Sequence, residues 1–167
     1  GAIIGAGMIG LSKVAKADVI LKSGGNTETL TNLSCSTLMC VNGTNSTERD
    51  GNGNSATGSY STISGGANSQ ASDSYSTVGG GNTNFALGTD STVSGGKSGL
   101  ASGCYSAVGG GGQMGNCASG AYSTVLGGID VRATNTYSTA SGYLNYTKGC
   151  SSTIIGGSLN NICTTAH

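Results

Sequence analysis

The chain of 167 residues is long enough for one ordinary domain, yet 32 residues are Gly, none is Pro and only 8% are charged, against about 25% in a typical globular protein. Its formal net charge is zero, which excludes a broad electrostatic pull toward nucleic acid or an anionic membrane surface. No apolar run reaches the ~18 residues of a membrane-spanning helix, and the absence of high net charge, Pro and long charge runs excludes the usual disordered composition.

In chain order, residues 1–10 come first, where Gly5, Gly7 and Gly10 spell G-x-G-x-x-G. A dinucleotide site needs a strand before such glycines, a helix after them and an acid about 20 residues further on. Leu11, Val14, Ala15 and Asp18 suit the helix, and Glu28 stands near the place of the acid. The rest of the chain supplies no alternation of strands and helices to complete that fold. Aligned with Ser152-Thr153-Ile154-Ile155-Gly156-Gly157, Ile3 and Gly5 fall on repeat columns, so the stretch is read as a degenerate first coil. It lacks a charged start and a cleavage site, and the chain reads as a mature product or a fragment. Asp18-Val19-Ile20-Leu21 reads as a strand, and Cys35-Ser36-Thr37-Leu38 as another coil. Residues 41–55 are expected to form a protruding loop or a joint. Within them, Asp50-Gly51-Asn52-Gly53-Asn54 begins like a calcium loop. Ser55 and Ser61 stand where such a loop needs Gly and Glu, so a turn without metal is expected.

From residue 56 the chain repeats. On the tripeptide Ser-Thr-Val, the Val position falls at Ile63, Val78, Val93, Val108, Val125, Ala140 and Ile154, in steps of 15, 15, 15, 17, 15 and 14 residues. Ser stands two residues before it at Ser61, Ser76, Ser91, Ser106, Ser123, Ser138 and Ser152. Gly stands two residues after it at Gly65, Gly80, Gly95, Gly110, Gly127, Gly142 and Gly156, which mark turns. Seven residues before it are Ala56, Ala71, Ala86, Ala101, Ala118, Ala133 and Thr147. The unit is too short for a helical repeat and suits one coil of a β-solenoid with two short strands and two turns. The column Gly58, Asp73, Gly88, Gly103, Gly120, Asn135 and Gly149 consists of residues that tolerate positive φ and is expected to mark the second turn. A Pro-free chain fits, because each coil hydrogen-bonds to coils above and below. Strand alternation puts Ser and Val on one face and Tyr and Thr on the other.

These columns predict an all-β, parallel β-solenoid of about ten coils, irregular over 1–55 and regular over 56–167. One coil buries little more than a Val or Ile, an Ala and a Ser, too little apolar surface to offset the ordering of its backbone. Identical copies are expected to supply the remainder, and three solenoids about one axis suit a fibre.

The Ser-Thr-Val-x-Gly-Gly and Ala-x-Gly columns over 56–167 resemble the YadA-like head repeats of trimeric autotransporter adhesins, and repeats in fibre proteins of phages and large viruses. The commonest unit of that family has 14 residues, and this one has mostly 15. The resemblance implies a left-handed parallel β-roll assembled as a homotrimer in a virion or cell-surface fibre. It further implies attachment to a host glycan or protein receptor, without catalytic residues, cofactor or membrane insertion.

Candidates for chemistry are few. The single His is His167, so a catalytic triad would have to recruit the last residue. The serine column lacks a base and reads as small buried packing residues. No enzyme is expected. Cys35, Cys40, Cys104, Cys117, Cys150 and Cys163 contain no C-x-x-C pair. Cys104 and Cys150 share a column three coils apart, too far to bond. Cys150 with Cys163, Cys35 with Cys40, and bridges between chains stay open beside free thiols. Tyr60, Tyr75, Tyr105, Tyr122 and Tyr137 form one column interrupted by Asp90. The column reads as a stacked aromatic ladder that stiffens the solenoid or offers a surface stripe to a sugar or protein. The column Thr62, Thr77, Thr92, Ala107, Thr124, Thr139 and Thr153 raises an ice-binding alternative, and an architectural coat or filament is a further one. N-glycosylation sequons start at Asn32, Asn42, Asn45 and Asn145.

Overall fold

A computed structural model describes residues 39–40, 43–49, 53–112 and 115–163. The chain divides into two units, Gly1–Leu33 and Ser34–His167, and every described residue belongs to the second. The G-x-G-x-x-G stretch, the strand expected at 18–21 and the coil expected at 35–38 lie outside the described residues.

Each coil contributes two short strands. One carries the Thr-Val pair, as in Thr62–Ile63, Thr77–Val78 and Thr92–Val93. The other carries the repeat alanine, as in Gln70–Ala71, Phe85–Ala86 and Leu100–Ala101. Like strands pair in parallel and in strict register, Thr62 with Thr77 and Ala71 with Ala86. The result is two sheets, one of nine strands and one of eight. The chain is an all-β, parallel β-solenoid, as the repeat columns predict; it has about seven turns of roughly 15 residues among the described residues, against the ten or so coils expected over the whole chain.

Within the stretch 41–55 expected as a loop or joint, the described residues include two strands of the solenoid. Thr47–Arg49 pairs in parallel with Thr62–Ile63, and Ser55–Ala56 pairs with Gln70–Ala71. Glu48 therefore stands in the Val column, and Met39–Cys40 adds antiparallel to the edge of the same sheet. The Glu48 side chain is buried and accepts a hydrogen bond from the Ala56 N–H at 2.9 Å. That bond offsets part of the cost of burying a carboxylate where other coils place a Val.

The interior is narrow. Ile63, Val78, Val93, Val108 and Val125 are fully buried, together with Ala56, Ala71, Ala86, Ala101, Ala118 and Ala133. The serine column is buried with them from Ser61 to Ser138 and half-buried at Ser152, and Ser61, Ser76, Ser138 and Ser152 each donate a hydroxyl to the carbonyl three residues back, at 2.6–2.8 Å. The 14-residue step is absorbed by a bulge: Val125 faces Ala140 and Gly127 faces Ser141, which leaves Leu126 unpaired and exposed.

A second polar element crosses the interior. Asn84, Asn116 and Asn145 are buried to within 1%. The Asn84 amide donates to the carbonyls of Gly80 at 2.7 Å and Gly96 at 3.0 Å, and its oxygen accepts from the Gly99 N–H at 2.8 Å. Asn116 repeats this with Gly110, Gly128 and Val131, and Asn145 with Ser141, Gly156, Gly157 and Asn160. Each side chain ties one corner of its own coil to the next coil. Asn54 acts in the same way on Gly66 and Ser69, so the amide at the fifth position of the calcium-like sequence is committed to the fold. Asn145, read as a sequon, is fully buried and presents no acceptor to a glycan.

Replacing Asn84 by Ala strands the Gly99 N–H and the Gly80 carbonyl in the interior, while the Gly96 carbonyl keeps its bond from the Asn82 N–H. A loss of about 2–4 kcal/mol is expected on that account, measured by urea unfolding against Lys97→Ala on the exposed surface. A loss equal to that of Lys97→Ala removes the clamp from the account.

Candidate functional site

The most conspicuous surface feature starts from one turn. In Gly58-Ser59-Tyr60-Ser61 the Ser61 N–H donates to the Gly58 carbonyl at 3.2 Å, and Tyr60 at the third position has φ 59°. Tyr75, Asp90, Tyr105, Tyr122, Tyr137 and Ser151 take φ between 53° and 59° in their coils. The left-handed residue of this turn is thus the tyrosine, not the Gly58 column two residues earlier. Glycine at 58 meets a different demand: a Cβ there would collide with the Asp73 carbonyl of the next coil. The left-handed φ also breaks strand alternation, so Tyr stands at a corner rather than beside Thr on a flat strand face.

The turn brings the column together as sequence spacing implied. Tyr60 and Tyr75 stack with ring centroids 5.1 Å apart, Tyr105 and Tyr122 at 4.8 Å, and Tyr122 and Tyr137 at 5.1 Å. All five rings are about half exposed. Asp90 separates the Tyr60–Tyr75 pair from the Tyr105–Tyr122–Tyr137 trio. Within each stack the ring faces cover one another.

At the other corner, Gly65, Gly80 and Gly127 have φ of 150–153°, Gly142 110° and Gly156 84°, conformations that favour glycine. Gly95 and Gly110 have no positive φ, and the turn at Gly95 relies on Gly96 at 89°.

A further cluster occupies the outer face of the eight-stranded sheet, where Cys117, Arg132 and Tyr146 stand in register on successive coils. The Asp130 carboxylate accepts from Arg132 Nε at 3.1 Å and from the Tyr146 hydroxyl at 2.6 Å, and the Arg132 guanidinium lies 5.5 Å from the Tyr146 ring centre. The Tyr146 bond, with Arg132 second, holds the Asp130 carboxyl below its ordinary range. The same bond raises the phenol above its own range. Burial pushes the Cys117 thiol up, against the opposing pull of Ser119 and Arg132. Sequence reasoning missed this cluster because its residues occupy columns with no repeated identity; the 15-residue register was the available signal.

Cys104, Cys150 and Cys163 are exposed and Cys117 is half-buried, and all four are free thiols. Among the described residues, no group of three or more His, Cys, Asp or Glu is placed to hold a metal ion.

Fold and surface define a β-solenoid repeat protein with an aromatic corner. No known protein-family model matches the chain, and a search of curated proteins finds no significant relative.

Two measurements check these sites. Tyr122→Val and Tyr122→Asn both lose the stacks, but only Val meets a steric conflict at φ 56°. The Val variant is expected to be less stable than the Asn variant by about 1–2 kcal/mol in thermal or urea unfolding; equal stabilities would contradict the left-handed turn. For the second cluster, the lowered Asp130 pKa gives stability present above the ordinary carboxylate value near ~3.9 and lost as pH falls through the depressed one. The raised Tyr146 pKa gives stability present below the ordinary phenol value near ~10 and lost as pH rises through the raised one. Asp130→Asn is expected to bring the Tyr146 pKa down toward an ordinary phenol, read from its ring resonances across alkaline pH.

Proposed function

We propose that the chain is a non-enzymatic structural and adhesive segment of a surface fibre, on a virion or a cell, built from three left-handed solenoids and mediating attachment. The observation that carries this reading is the width of the coil. A typical coil buries one Val or Ile and one Ala as its apolar interior, as Val93 and Ala101 do. A rod this slender gains from apolar burial against identical neighbours. The outer face of the eight-stranded sheet offers such surface: Phe85, Leu100 and Cys117 stand in register on successive coils. The exposed tyrosine corner is the contact surface of the fibre, and repetition along three chains lets weak contacts sum. The resemblance to adhesin head repeats points the same way.

An architectural filament without a receptor is the second reading. It is favoured by the strands Thr153–Ile154 and Asn161–Ile162, which terminate the two sheets among the described residues beside exposed Ile155 and Leu159. An ice-binding surface has the threonine file in its favour, but Ala107 interrupts that file.

Light scattering on the purified chain tests the assembly. A mass three times that of one chain, with saturable binding to host cells or glycans, is expected. A well-folded monomer overturns the trimer, and end-to-end polymers without ligand binding favour the filament.

A further inference from the structure

The tyrosine ladder is broken once, and the break has its own chemistry. Asp90 has φ 55°, against 59° at Tyr75 and 57° at Tyr105. The corner therefore keeps its shape at the break, and only the ring is replaced. Tyr75 and Tyr105 stand two coils apart. One coil step separates stacked centroids by 4.8–5.1 Å in this ladder, so two strand spacings place these two rings about 10 Å apart. That interval accommodates one flat group stacked on both sides at the ladder's own spacing. Tyr75 and Tyr105 each turn one ring face toward it, whereas Tyr122 is stacked on both sides.

The interval is also acidic. Asp90 is exposed, and the one ion pair among the described residues lies elsewhere, between Arg132 and Asp130. Asp73, one coil earlier, accepts a hydrogen bond from the Thr89 hydroxyl at 3.0 Å and so is held against the residue preceding Asp90. The single basic residue between positions 50 and 131 is Lys97. It belongs to the column Ala67, Asn82, Lys97, at the other corner of the coil. Among the described residues, no ion pair involves Asp73 or Asp90.

We propose that the interval at Asp90 binds a flat cation, the guanidinium of an arginine carried by a partner protein, stacked between Tyr75 and Tyr105 and paired with the Asp90 carboxylate. A guanidinium is planar, weakly hydrated and able to stack on aromatic faces while its in-plane N–H groups reach a carboxylate. A lysine ammonium is compact and strongly hydrated, so it fills the interval poorly. A neutral ring would fill it but would leave the carboxylate desolvated without a partner. The proposal names a partner chemistry for the tyrosine corner but rests on the coil register alone, so a monomer and a trimer give the same result.

The test is an NMR titration of the full chain, following the ring resonances of Tyr75 and Tyr105. The probes are N-acetyl-arginine amide, its neutral isostere N-acetyl-citrulline amide and N-acetyl-lysine amide. Saturable shifts of both rings are expected with the arginine probe, and binding about tenfold or more weaker with the other two. Asp90→Asn is expected to weaken arginine binding about tenfold. Asp90→Tyr abolishes it by completing the ladder, and it retains the fold because five tyrosines already occupy this φ. The proposal is overturned by unsaturable arginine shifts, by equal binding of citrulline or lysine, or by undiminished binding in Asp90→Tyr.

Discussion

Main-chain hydrogen bonding between like positions of successive coils governs the rest of the molecule. The Thr62 N–H donates to the Ser76 carbonyl, Thr77 to Ser91 and Thr92 to Ser106, each at 2.9 Å. Because every coil rests on its neighbours through the backbone, residues 15 apart become spatial neighbours and a repeated residue stacks upon itself. Pro would delete a donor from this ladder, and the chain has none. Close coil contact also restricts side chains at the corners. At Gly81, φ is 91° and a Cβ would strike the Gly96 carbonyl of the next coil. Stability in such an array is close to a sum of nearest-neighbour contacts between coils, so a defect in one column is felt chiefly by the coils above and below.

The buried asparagines follow from the same geometry. Strand pairing satisfies the flat sides of the coil, but its corners leave carbonyls pointing into the interior. A planar amide carries two donors and an acceptor and can serve a corner in its own coil and the coil above together. Its size imposes an alternation. Between Asn84 and Asn116 the same column holds Gly99, where a Cβ would lie 3.0 Å from Val93 Cγ1 and 3.1 Å from Asn84 Oδ1. Ser69 and Val131 occupy the column in other coils. From Asn54 to Asn145 a two-coil period is thereby laid over the one-coil repeat, ending where Asn160 follows Asn145 in the column.

Much of the solenoid was legible because register turns periodic sequence into columns, and Val, Ala and Ser columns read directly as interior. What escaped did so for identifiable reasons. The coil at 43–49 was hidden because Asn45 and Glu48 replace Tyr and Val, although Ser46-Thr47 keeps the repeat. The left-handed corner was assigned to the Gly58 column because Gly and Asn are the usual residues at positive φ. Tyrosine holds that conformation here at five positions, and nothing in a tyrosine's own preferences announces it. The Asp130–Arg132–Tyr146 cluster was illegible because its members differ in type, and Arg132 and Tyr146, though in one column, meet Asp130 only after coiling. The tyrosine column itself was legible as a ladder, but the mutual covering of its ring faces required the corner geometry.

That geometry explains why an interruption matters. A non-glycine residue in the left-handed region costs on the order of 1–2 kcal/mol, and an aromatic pair returns about 0.5–1.5 kcal/mol beyond the area it buries. A tyrosine stacked on both sides, as Tyr122 is, offsets its conformational cost; one deprived of neighbours does not. At position 90, where a tyrosine would have Tyr75 and Tyr105 on either side, the chain carries aspartate, which tolerates this conformation with less strain. Asparagine or glycine would relieve the strain equally well and bring no charge. The turn therefore does not call for the carboxylate at Asp90. Its presence between two open aromatic faces is a property of the surface and not of the fold.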